Sequence, residues 1–122
     1  ATTSTHDMSP VRLWWREDRK TTQRFFNEVL HRAGDAPGDS SPELCRQIIQ
    51  QHLDASAMWV ILPWQDWMSI SEKLSRGNPA EERINVPANP HHYWRYRMHI
   101  SLDDLLKESE LNMAIKTMVN RI

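Results

Sequence analysis

Apolar positions along this chain change their spacing several times, and each change predicts an element. From Val11 to Arg32 the sequence reads as helical, with charges gathered over Arg16 to Lys20 and an apolar set of Phe25, Phe26, Val29 and Leu30 on neighbouring helical positions. Backbone breakers concentrate in Gly34-Asp35-Ala36-Pro37-Gly38-Asp39, which predicts a loop. Ser41-Pro42-Glu43 then offers a hydroxyl cap, a proline in the first turn and an early acid, the usual opening of a helix. That helix should carry Leu44, Ile48, Ile49 and Leu53 on one stripe and end near Asp54. Ala57 to Leu62 is a continuous apolar run between Ser56 and Pro63, the pattern of a strand covered on both faces in a parallel sheet, and it predicts Trp59 in the core. Small and β-branched residues from Ala1 to Thr5 predict a strand end.

Beyond Pro63 the elements shorten. Trp64 to Leu74 predicts a short helix, broken by Gly77-Asn78-Pro79, with a further turn over Ala80 to Arg83. Asn85 to His99 should be irregular or extended, because Pro87 and Pro90 remove donors and restrict the residues before them. Ser101-Leu102-Asp103-Asp104 caps a last helical region running to Ile122, with a break near Ser109. Strand, helices, strand, helices is the order of part of an α/β fold, and 122 residues make one segment of ordinary domain size.

Composition narrows the function classes. A formal charge of −1 and a pI near 6.7 argue against a dedicated nucleic-acid binder, which would carry a basic excess. No apolar run reaches the roughly 20 residues needed to span a bilayer, so no membrane partner is expected. The single cysteine, Cys45, excludes an internal disulfide and leaves no cysteine cluster for zinc; it fits a reducing, cytoplasmic location. Adjacent histidines such as His91-His92 rarely ligate one ion, and no metal-site spacing is present. Six tryptophans are the outlier, serving either a core or a surface that stacks on sugar rings.

The richest stretch is Arg83 to Arg97, where Tyr93-Trp94-Arg95-Tyr96-Arg97 interleaves flat rings with guanidinium forks behind two prolines. Rings offer apolar faces and arginines offer paired donors, a combination suited to a flat, hydroxylated ligand. At the other end, His6-Asp7 sits where the short strand meets a loop. A carboxylate and an imidazole placed there can bond two adjacent sugar hydroxyls; a surface His-Asp at a helix cap is the plainer alternative. Glu17-Asp18, Glu81-Glu82 and Asp103-Asp104 are sequence neighbours in charged settings, and read as solvated faces rather than a catalytic pair of carboxylates.

Taken in order, Thr5-His6-Asp7, Trp14-Trp15, Leu62-Pro63-Trp64-Gln65-Asp66, Arg83-Ile84-Asn85-Val86-Pro87 and Trp94-Arg95-Tyr96-Arg97 resemble the C-terminal part of the 4-α-glucanotransferases, the amylomaltases and disproportionating enzymes of glycoside hydrolase family 77. Ala88, Asn89 and Tyr93 replace the Gly, Thr and Asn usual in the terminal signature, as in the branch that holds the plant cytosolic disproportionating enzymes. The resemblance implies the last strands and helices of a (β/α)8 TIM barrel, predominantly helical as an isolated piece, and a parent enzyme longer than this chain.

It also implies a retaining double displacement that moves α-1,4-glucan segments between maltodextrins, with no metal or organic cofactor. Asp7 would stabilise the oxocarbenium-like transition state and His6 would bond substrate. Asn85 and Asp66 would line the same site, Asp66 with the plain helix cap as its alternative. Trp94 and Arg97 would serve binding or packing. The nucleophile and the acid/base carboxylates would lie upstream, leaving this piece inactive alone and prone to self-association through uncovered apolar faces. The other reading is a noncatalytic module whose Tyr93 to Arg97 segment stacks sugars or single-stranded bases.

Overall fold

The computed structural model describes residues 1–120, and the expected run of the last helix to Ile122 ends outside the described residues. Among them the regular elements are helical: α1 (Val11–Glu17), α2 (Arg19–Arg24), a π-helical turn (Phe25–Val29), α3 (Pro42–Leu53), α4 (Trp64–Met68), a 3-10 turn (Pro79–Glu82), α5 (Leu102–Leu106) and α6 (Ser109–Val119).

The expected helix from Val11 to Arg32 is broken, and Asp18 is the reason. It adopts an extended backbone (φ −139°, ψ 102°), and its carboxylate accepts from the backbone N–H groups of Lys20 and Thr21. An aspartate that can cap a new helix competes with its own place inside a longer one. The chain therefore turns at Asp18, and Thr22 Oγ1 donates to the Trp15 carbonyl at 2.9 Å to close the corner. Of the four apolar residues expected to face the core, Phe26 and Leu30 are buried, Phe25 is half-buried, and Val29 is exposed on the far side of the π-helical turn.

α3 forms as its sequence predicts. Ser41 accepts from the Leu44 N–H, Pro42 opens the first turn, and Asp54 closes the last. Leu44, Ile48, Ile49 and Leu53 are all buried, and they divide between two cores. Leu44, Cys45 and Ile48 pack with Val11, Trp15, Phe26, Leu30 and Ala36. Ile49 and Leu53 pack with Met118 of α6 and with Val60, Leu62, Trp67 and Ile70. Burial pushes the Cys45 thiol upward from its ordinary pKa, which keeps it protonated and inert.

The two expected strands are not assigned as strands among the described residues, and Trp59 is corrected from core to surface at 74 % exposure. What remains of the sheet is one rung of parallel pairing. The Ala1 nitrogen donates to the Trp59 carbonyl, and the Ile61 N–H donates back to the Ala1 carbonyl at 3.0 Å. That pattern sets Ala1 opposite Val60 with both segments running the same way. From Trp59 to Leu62 the side chains alternate as in a strand: Val60 and Leu62 turn toward α3 while Trp59 and Ile61 stay exposed, and Met58 before them is exposed out of that register. An apolar run predicts a strand covered on both faces only when a second layer exists to cover it, and here one face has none.

Candidate active site

The loop carrying His6 and Asp7 is a tight turn: the Met8 N–H donates to the Thr5 carbonyl at 3.1 Å, and the Asp7 N–H donates to Thr5 Oγ1 at 3.3 Å. Both side chains consequently point to solvent, with His6 Nε2 lying 3.3 Å from Asp7 Oδ2. Across from this turn runs the proline-restricted segment after the 3-10 turn. Asn85, 78 positions away in sequence, donates from Nδ2 to Asp7 Oδ1 at 2.7 Å. Its backbone N–H donates to the His6 carbonyl at 3.1 Å, so the two segments are joined by main chain as well as side chain. The same segment brings the Trp94 ring to 5.3 Å from the His6 ring, tilted by 43°.

Four of the six residues singled out from the sequence, His6, Asp7, Asn85 and Trp94, therefore meet in one exposed patch. Asp7 has one oxygen held by Asn85 and the other close to His6, with open solvent beyond. Such a carboxylate is aimed but not consumed, a suitable partner for hydroxyl groups or a developing positive charge. Replacing Asn85 with alanine is expected to loosen that aim. The bond is solvent-exposed, so a loss of about 1 kcal/mol of stability is expected, read from urea unfolding.

The remaining two residues lie elsewhere. Asp66, on α4, is fully buried and accepts from the hydroxyls of Thr3 and Ser4 and from the Val11 N–H. Arg97 is exposed, and its carbonyl accepts from Arg76 Nη2. Arg76 is the post that holds this part of the segment. Its Nε lies 3.3 Å from Glu82 Oε1, an ion-pair contact without hydrogen-bond alignment, and its guanidinium sits 5.7 Å from the Tyr96 ring centre.

Tyr96 donates its hydroxyl to Glu82 Oε2 at 3.2 Å, and Glu82 itself is buried. Burial, then the neighbouring Glu82 charge and its hydrogen bond, push the Tyr96 phenol up to about 12. The folded chain thus holds the phenol proton more tightly than the unfolded chain, whose tyrosines titrate near an ordinary value of about 10. Stability from this contact is intact below about pH 10 and is lost as pH rises through about 12. Alkaline unfolding followed by circular dichroism is expected to show that loss, and Tyr96→Phe is expected to remove it.

Sequence reasoning missed three contributors. Arg83 donates from Nε to the Asn85 carbonyl at 2.8 Å and from Nη1 to Ser9 Oγ at 2.9 Å. Ser9 in turn donates to Glu17, which lies 3.8 Å from Arg83 Nη1. Glu17 lies on the exposed face its sequence predicts, and from there it forms the far end of a relay that reaches Asn85. Only the place of Arg83 two residues before Asn85 hinted at this. Among the described residues, no group of three or more His, Cys, Asp or Glu could hold a metal ion.

Comparison with known proteins gives this patch a setting. The profile of the family described as 4-alpha-glucanotransferase, glycoside hydrolase family 77, matches residues 1–103. The chain is 40 % identical over 116 residues to 4-alpha-glucanotransferase DPE2 of Oryza sativa subsp. japonica, covering 95 % of this chain and 12 % of the rice protein. It is 28 % identical over 120 residues to the 4-alpha-glucanotransferase of Chlamydia muridarum, covering 94 % of this chain and 21 % of that protein. A relative from Chlamydia trachomatis is also 28 % identical, over 118 residues. The chain thus spans only between 12 % and 21 % of the length of the first two relatives. No solved structure gives a significant match. With the family profile covering the turn at His6-Asp7, the buried Asp66 and the segment through Trp94, the chain belongs to the 4-alpha-glucanotransferase family.

Proposed function

We propose that these residues form part of an enzyme that transfers α-1,4-glucan segments between maltodextrins or related glycans, and that Asp7 is its transition-state stabiliser. One observation carries the reading: Asn85 fixes Asp7 at 2.7 Å from a position 78 residues away, inside the stretch matched by the family. A sugar ring that loses its leaving group flattens and gains positive charge, and a carboxylate held beside its hydroxyls gains strength as that charge develops. His6 sits within reach of the same hydroxyls, and Trp94 offers a ring face on which the sugar can rest. Arg97 is a further candidate for the substrate path, being exposed three residues beyond Trp94.

The chemistry itself is a retaining double displacement, which needs two carboxylates about 5 Å apart across the scissile bond. Glu17 is occupied by Ser9 and Arg83, and Glu82 by Tyr96 and Arg76, so neither is free to act as one of that pair. The family resemblance would place the nucleophile and the proton donor in other parts of a protein of the relatives' length. Alone, the 122-residue chain is expected to be inactive and to associate with itself, since Met58, Trp59 and Ile61 form an uncovered apolar edge. Light scattering checks this: aggregates or oligomers are expected, and a monodisperse monomer counts against it.

The function is tested by incubating maltotriose with a protein of the relatives' length that carries these residues. Glucose or maltose should appear together with longer maltodextrins, the new linkages keeping the α configuration. A folded protein that only hydrolyses, or leaves maltotriose untouched, overturns the reading.

A further inference from the structure

Asp66 is the most thoroughly enclosed acidic group in the chain, and its partners come from both flanks of the His6-Asp7 turn. Oδ2 accepts from Ser4 Oγ at 2.8 Å and from Thr3 Oγ1, two residues just before the turn. Oδ1 accepts from the Val11 N–H at 2.9 Å, the first residue of α1 just after it. One carboxylate thereby grips residues 3, 4 and 11 and leaves the six residues between to project as a closed loop. Its own position is secured on α4, where Ser69 Oγ donates to the Asp66 carbonyl. A buried charge is costly unless its oxygens are satisfied, and three donors from the loop flanks satisfy this one.

We infer that Asp66 is a positioning residue for Asp7, acting through the hydroxyls of Thr3 and Ser4 and the N-terminus of α1 rather than by touching substrate. Fully buried, with both oxygens engaged by the chain, it has no side left to offer a sugar hydroxyl. The inference rests on the role proposed for Asp7. Removing the grip frees both ends of the loop, and a displacement near 1 Å at a catalytic group can cost about 100-fold in rate.

The test measures kcat and KM for glucan disproportionation in a protein of the relatives' length that carries these residues. Asp66→Ala is expected to lower kcat by about 100-fold while KM stays within about twofold, because the lost contribution belongs to the transition state. Asp66→Asn should recover most of that loss: its amide oxygen still accepts from Val11, and the two hydroxyls can turn to accept from its nitrogen. Thr3→Val with Ser4→Ala should lower kcat in the same direction, and less than additively when combined with Asp66→Ala.

A rise in KM at unchanged kcat would mean that Asp66 binds substrate directly, and would overturn the inference. So would wild-type kcat in Asp66→Ala with an unchanged urea midpoint. Should Asp66→Ala fail to fold, the Thr3→Val, Ser4→Ala pair decides alone, wild-type kcat being the contrary result. Asp7→Asn run in parallel separates the two claims. If it is inactive while the Asp66, Thr3 and Ser4 variants all turn over normally, only the positioning role falls. If it is fully active, the role of Asp7 falls first.

Discussion

Trp15→Ala is expected to destabilise the fold by about 3–5 kcal/mol, enough to leave a marginal chain largely unfolded. Trp15 is fully buried at the corner between α1 and α2, and every side of it is engaged. Its indole nitrogen donates to the Pro37 carbonyl at 2.9 Å, and its carbonyl accepts from Thr22 Oγ1. Its ring meets Phe26 edge-on at 6.4 Å and Trp14 edge-on at 6.5 Å. Truncation opens a cavity under α3 and removes one of two donors to the Pro37 carbonyl, which keeps Arg19 Nη1 at 2.8 Å. Urea unfolding followed by tryptophan fluorescence checks the magnitude. A loss below about 1 kcal/mol would mean that this core contributes little to holding the chain together. Because α1 begins at the Asp66 grip, the loss should reach the His6-Asp7 turn as well.

Much of this arrangement could be read from the sequence where the information is local. Ser41-Pro42-Glu43 carries its own cap and opening turn, and α3 starts where those residues place it. The spacing of Leu44, Ile48, Ile49 and Leu53 fixes a stripe, and helix geometry alone puts that stripe against a core. Asp18 was locally readable too, as an aspartate followed by residues whose N–H groups it could accept; the charge cluster around it disguised the break.

Long-range partners explain the rest. Ala57 to Leu62 has the composition of a strand, yet a strand exists only when a neighbour pairs along it, and Ala1 supplies a single rung. Trp59 faces outward for the same reason. Asp66 reads as a residue at the mouth of a site until Ser4 and Val11, more than fifty positions away, close over it. Glu17 is a surface acid as its sequence predicts, and only the fold shows that Arg83 reaches it from the other end of the chain. Asn85 and Trp94 likewise reach Asp7 and His6 from the other end of the chain, a proximity that periodicity does not carry.

Asp7→Asn is the most direct test of the central claim, that the carboxylate at this position steadies a positively charged sugar ring. The substitution keeps the shape of the side chain and an oxygen that can accept from Asn85 Nδ2, so the turn should stay where it is. Only the charge is removed. A partner lost mainly in the transition state lowers kcat far more than it raises KM. The expected fall is about 10²–10³-fold, equivalent to about 3–4 kcal/mol, comparable to deleting one preorganised electrostatic contact in other enzymes. The measurement is disproportionation of maltotriose by a protein of the relatives' length that carries these residues, beside its Asp7→Asn form at matched folded concentration. A collapse of kcat with KM nearly constant is the predicted result, and undiminished transfer would contradict the account.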